Sequence, residues 1–201
     1  MSAQEEKETI VAVSELIEYY NGIFTTLSRC ASRQLEEVTF KRNNISVVLL
    51  VADAEKYFYK KVKGCTSRVL FEVKTVEGNV IGDINLLHYL LESLIDEALS
   101  CPLDGKLLLS AVTEDDFIRF VFTDYRRKKT IEELNQLFYP SLDRMFTTAD
   151  GELMGTEYLI CKQIVREHDE FSGRRGCRIN AVSCTEGGYS IYFTIPKNIY
   201  G

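Results

Sequence analysis

Between residues 8 and 37 the apolar side chains fall on three positions of a seven-residue repeat. Ile10, Ile17, Phe24 and Ala31 form one set, Val13, Tyr20 and Leu27 a second, and Leu16, Ile23 and Cys30 a third. A two-stranded coiled-coil seam uses two such positions. Three make a wider stripe that asks for more than one neighbour, as in a four-helix bundle. No second long helix of this kind occurs in the chain. The stripe therefore predicts partner helices from a second subunit, from a segment upstream, or from both. The competing reading is a helix folded back on its own domain.

After residue 37 the pattern breaks into shorter periods. Val38–Phe40 is β-favouring and is interrupted by Lys41-Arg42-Asn43-Asn44. Val47, Leu50, Val51, Ala54 and Phe58 share one face of a helix predicted over about 46–62. Alternation predicts strands over 69–73 and 79–81, around a Glu77-Gly78-Asn79 turn. Asp83 is a suitable N-cap for a helix over 84–100. Strands over 106–112 and 117–123 follow, joined by a tight acidic turn. Thr130 caps a short helix reaching Phe138, and residues 139–153 read as a loop. A helix over 156–167 and two strands, 177–183 and 189–195, complete the chain. This order predicts a two-layer α/β sandwich over residues 38–201, a mixed sheet with helices on one face, preceded by the helix of residues 1–37.

Composition narrows the function classes. The chain has 201 residues, 45% hydrophobic, with 24 basic against 30 acidic side chains and a net charge of −6. That balance gives no footprint for nucleic acid or an anionic membrane. No apolar run approaches the roughly 20 residues of a membrane helix. The polar, acidic start MSAQEEKET is unlike a signal peptide. Six cysteines without a CxxC pair read as reduced thiols, which predicts a cytoplasmic protein.

Five segments, in order, carry a family resemblance. They are Ile81-Gly82-Asp83 with the following LLHYLLESLIDEAL, the strand VFTD ending at Asp124, IEELNQLFYP, GTEYLICKQIVREH (155–168) and GGYSIYFTIP. Together they resemble the ATP-binding catalytic domain of sensor histidine kinases, the Bergerat or GHKL fold. The likeness spans about residues 44–196. It implies ATP with Mg²⁺ as cofactor and a response regulator or other signalling protein as partner. The helix of residues 8–37 then resembles the second helix of the dimerisation bundle, which implies a homodimer. The family's phosphoacceptor histidine lies on the first bundle helix, outside this sequence, and no catalytic residue is assigned.

The resemblance places the nucleotide site on Asp124, Ser93, Glu97 and Gly155. Asp124 stands where the family's adenine-binding carboxylate stands; its other reading is a strand-end Asp capping the next turn. Ser93 and Glu97 occupy the stretch in which the family carries its Mg²⁺-binding amide. Glu97 offers a hard oxygen to a metal, or is a solvent-facing residue of a disused groove. Arg126 and Lys128 stand at glycine positions of the first glycine box. Leu153 and Glu157 flank Gly155 in the second, where a phosphate cradle needs bare backbone. The run Arg126–Lys129 reads as a solvated loop or an anion grip. His88 reads as structural, and His168 matches the family's histidine at the helix end. Three losses on one ligand predict weak or absent Mg-ATP binding and a degenerate pseudo-kinase acting through dimerisation and partner binding. The rival readings are an active ATP-dependent histidine kinase and a nucleotide-independent scaffold on the same fold.

Overall fold

The computed structural model describes residues 40–63, 67–138 and 156–198. The heptad stripe of residues 8–37, the loop 139–153 and Gly155 lie outside these residues.

Polar caps fix where the helices begin. Ser46 ends β1 (Asn43–Ser46) and caps α1 (Val47–Lys61), its hydroxyl accepting from the Leu49 amide. Asp83 follows β3 (Asn79–Gly82) and caps α2 (Ile84–Ser100), its carboxylate accepting from the Asn85 and Leu86 amides. Thr130 and Glu133 form a reciprocal capping box at α3 (Ile131–Gln136). The remaining helix among the described residues is α4 (Thr156–Phe171).

Strands β2 (Val69–Lys74), β4 (Gly105–Glu114), β5 (Phe117–Asp124), β6 (Ile179–Ser183) and β7 (Tyr189–Pro196) form one sheet in the order β2-β4-β5-β7-β6. The β2–β4 pair is parallel and the others are antiparallel. β1 and β3 form a separate antiparallel pair. The chain's end ties this pair to the main sheet, with Val80 bridging Lys197 and the Asn198 amide donating to the Asn79 carbonyl.

Alternation puts Leu107 and Leu109, Ile118 and Phe120, and Ile191 and Phe193 on one face of the sheet, all buried. Phe120 and Phe193 stack with centroids 5.0 Å apart. The apolar stripes of α1, α2 and α4 cover that face through residues such as Phe58, Leu90 and Ile164. The opposite face leaves Leu70, Val112 and Val182 exposed. The result is the expected two-layer sandwich.

Three of the boundaries that differ from the sequence reading have a clear physical cause. β1 starts at Asn43, inside the predicted break, because Asn43 pairs with Gly82 and the ladder overrides local propensity. α4 continues to Phe171 through Asp169 and Glu170, where no glycine ends the helix. β6 begins at Ile179, because the Cys177 and Arg178 amides bond to the Asp169 carboxylate and the Thr194 hydroxyl.

Candidate functional site

Asp124 is the last residue of β5, and its side chain is fully buried. It sits opposite Tyr189 on β7. The turn before Tyr189 passes close behind it. A Cβ on Gly188 would lie 2.1 Å from the Asp124 carbonyl oxygen, and Gly188 has φ +81°, so this approach requires glycine.

The carboxylate is saturated by its own chain. Arg126 reaches it in a fork, Nε to Oδ1 at 2.9 Å and Nη2 to Oδ2 at 3.0 Å, while the Arg126 amide donates to Oδ1 at 2.9 Å. The same guanidinium donates to the Ala98 carbonyl at 2.6 Å and the Leu103 carbonyl at 3.2 Å. Ala98 lies in the last turn of α2, which carries no basic residue of its own. Arg126 therefore supplies, from a distant loop, the cation that a helix C-terminus attracts.

Arg127 turns the other way. Its Nε donates to Asp124 Oδ2 at 2.9 Å, Nη1 to Glu97 Oε1 at 3.2 Å and Nη2 to the Tyr189 hydroxyl at 2.8 Å. The Tyr158 hydroxyl, from the first turn of α4, donates to Glu97 at 3.3 Å and lies 3.3 Å from the Tyr189 hydroxyl. One guanidinium thus links α2, β5 and β7, and through Glu97 it reaches α4.

The electrostatics follow from this closure. Burial pushes the Asp124 carboxyl up. The Arg126 side chain and amide, with the two guanidinium charges, more than reverse this and leave it below its usual value. Burial would lower the Arg127 pKa, but Tyr189, Glu97, Tyr158 and Asp124 raise it instead. Burial pushes the Tyr189 phenol up to about 12. Tyr158 is raised well above its ordinary value, again first by burial.

The predicted site residues divide. Asp124 and Glu97 are brought together by Arg127. Ser93 stays apart, its hydroxyl donating 2.7 Å back to the Tyr89 carbonyl of its own helix. Gly155 and the side chain of Glu157 lie outside the description. The basic run is not a solvated loop at its start. The Arg126 and Arg127 side chains are 1% and 9% exposed, because Asp124 and Glu97 outcompete water for planar donors. Glu97 is not solvent-facing either; its side chain is 21% exposed and paired. The turn-capping reading of Asp124 is realised in its bond to the Arg126 amide. Sequence reading counted Arg126 as a lost glycine and missed its side chain as a gain. The one available signal was two arginines directly after a strand-end Asp.

Mg²⁺ would need hard oxygens free to coordinate. Glu97 Oε1 already accepts from Arg127 and Tyr158, and Asp124 is enclosed by two guanidinia. Among the described residues no group of three His, Cys, Asp or Glu side chains is arranged to hold a metal. The described residues of this cluster do not fit a Mg-triphosphate.

Beyond this cluster, His168 is fully buried near the end of α4 and pins α2. Its Nε2 accepts the Asp83 amide at 3.1 Å, and its Nδ1 lies 2.8 Å from the Ile164 carbonyl. His88, on α2, is half-buried 3.6 Å from Asp53 of α1.

No protein-family model matches the chain, and no curated protein matches its sequence. Solved structures do match. The catalytic domain of histidine kinase ThkA is 20% identical, over 78% of this chain and 96% of that one, with a TM-score of 0.60. The fold is that of a histidine-kinase catalytic domain. Histidine kinase AdeS of Acinetobacter baumannii, at 15% identity, covers 97% of this chain and 83% of its own, with a TM-score of 0.61. ThkA solved in complex with the response regulator protein TrrA gives 17% identity, 98% and 53% coverage and a TM-score of 0.67. At such identities the likeness is one of fold. No helix among the described residues is long and apolar enough to cross a membrane.

Proposed function

We propose that this chain is a signalling module that keeps the histidine-kinase fold but works without Mg-ATP, as a dimer that engages a response regulator or another signalling protein. One observation carries the reading. A single buried guanidinium, that of Arg127, binds both the residue in the adenine-anchor position, Asp124, and the residue in the metal-ligand stretch, Glu97. A nucleotide would have to displace Arg127 from two carboxylates and a phenol, and would bring polyphosphate to a site whose remaining acidic groups repel it. The heptad stripe of residues 8–37 supports the dimer, and the kinase fold supports a response regulator as the class of partner.

Thermal denaturation with and without Mg-ATP tests this. A ligand at about 100 times its dissociation constant stabilises by roughly 2.7 kcal/mol, several degrees in a domain of this size. Millimolar Mg-ATP is expected to move the melting temperature by less than about 1 °C. A Mg²⁺-dependent rise of several degrees, abolished by Asp124→Asn, would install the active-kinase reading in its place.

A further inference from the structure

We infer that the Asp124–Glu97 groove is a receptor for a guanidinium group, and that Arg127 is its resident ligand. The inference rests on the reading above and deepens it, because it names what the groove binds instead of nucleotide. Four observations converge. Two carboxylates from different elements, Asp124 on β5 and Glu97 on α2, point at one planar cation. The Tyr189 hydroxyl accepts a third N–H at 2.8 Å, so Nε, Nη1 and Nη2 each have a separate partner. The guanidinium carbon lies 5.6 Å from the centroid of the Tyr189 ring, within cation–π range. The Arg127 side chain is only 9% exposed, so the groove encloses its occupant.

This geometry selects a fork over a point charge. An ammonium presents three donors from one atom and cannot reach two carboxylates and a phenol on separate sides at once. A triphosphate has the wrong sign. Arg126 already balances one of the two carboxylates. Removing Arg127 takes away the one planar donor that Asp124 Oδ2, Glu97 Oε1 and the Tyr189 hydroxyl share, while the Lys129 ammonium stays 5.4 Å from the Tyr189 ring centroid.

The test uses the full chain with Arg127→Ala, in 50 mM methylguanidinium chloride and, as controls, 50 mM methylammonium chloride and 50 mM NaCl. Arg127→Ala is expected to melt several degrees below the unaltered chain. At about ten times its dissociation constant, methylguanidinium is expected to raise that melting temperature by roughly 3–6 °C. Methylammonium, NaCl and Mg-ATP should each leave it within about 1 °C, and the unaltered chain should not respond to methylguanidinium. Arg127→Lys should show a smaller loss and a smaller rescue. Should Arg127→Ala not fold alone, refolding yield in methylguanidinium against methylammonium is the readout. Equal responses to the two cations overturn the inference. So does a larger rise with Mg-ATP than with methylguanidinium. A Mg-ATP response in the unaltered chain overturns instead the nucleotide-free reading, so the two failures are distinct.

Discussion

His168 Nε2 accepts the Asp83 backbone amide at 3.1 Å, so the last turns of α4 hold the first residue of the α2 cap. Its Nδ1, 2.8 Å from the Ile164 carbonyl, is the donor in this arrangement. Both ring nitrogens are committed, and the ring must be neutral for Nε2 to accept. Phe40 closes the pocket edge-on, 5.0 Å away. Burial lowers the His168 pKa more than its hydrogen bonds restore it.

The pH dependence follows. A histidine whose folded pKa lies below its unfolded value, about 6.5, binds fewer protons folded than unfolded. Its contribution is complete above that value and is lost as pH falls through the folded pKa. Urea denaturation of the unaltered chain is expected to show falling stability between about pH 7 and pH 5. His168→Asn should be less stable at pH 7 by roughly 1–3 kcal/mol and flatter across that window. Parallel pH profiles for the two proteins would remove His168 from this role.

Gly82 is required by the same contact. A Cβ there would stand 2.7 Å from both Cδ2 and Nε2 of His168. The ring cannot retreat without giving up the Asp83 amide. Gly82→Ala is expected to cost about 1–3 kcal/mol, the usual penalty of overpacking, and to be partly relieved by His168→Ala in the same chain. A double-mutant cycle reads this directly, and additive effects would contradict it.

Much of the fold was legible because its signals are local. Asp83, Thr130 and the alternation in β4 and β5 each act over a few residues, and each helix and strand predicted between residues 46 and 138 and between 156 and 196 is present. What was not legible depends on distance. Asn43 becomes a strand only because Gly82 meets it, and Cys177 leaves the strand because Asp169 takes its amide. The site follows the same rule. The motif positions placed Asp124 and Glu97 in one groove. Arg126 and Arg127 read as loop charges, because nothing near them in sequence shows the Ala98 carbonyl or the Glu97 carboxylate they reach.

The stripe of residues 8–37 predicts self-association. Light scattering on the intact chain is expected to give twice the monomer mass, and a chain beginning at Val38 the monomer mass. Starting at Val38 keeps Phe40 against His168 and the Lys41 amide on Asp83, so the shortened chain retains the α2 cap. Phe24→Glu should also dissociate the dimer, since it puts an unpaired charge into an apolar seam. A monomeric intact chain at high micromolar concentration would refute the assignment.

Asp124 carries the largest expected single effect. Its carboxylate faces two guanidinia whose side chains are 1% and 9% exposed. Asp124→Asn keeps the shape but removes the charge that neutralises them, and breaking a buried pair in this way costs about 3–5 kcal/mol. Replacing both partners differs in kind. Asp124→Leu with Arg126→Leu removes carboxylate and cation together, so the pair should cost less than the sum of the single changes, although the Ala98 carbonyl loses its donor. The acid limb gives a second readout. Because the folded pKa of Asp124 is lowered, its contribution is complete above the unfolded value of about 3.9 and is lost as pH falls further. The stability gap between the unaltered chain and Asp124→Asn should be constant from about pH 7 to pH 5 and narrow below pH 4. A gap that narrows already between pH 7 and pH 5 would mean that another group, not Asp124, titrates with the cluster.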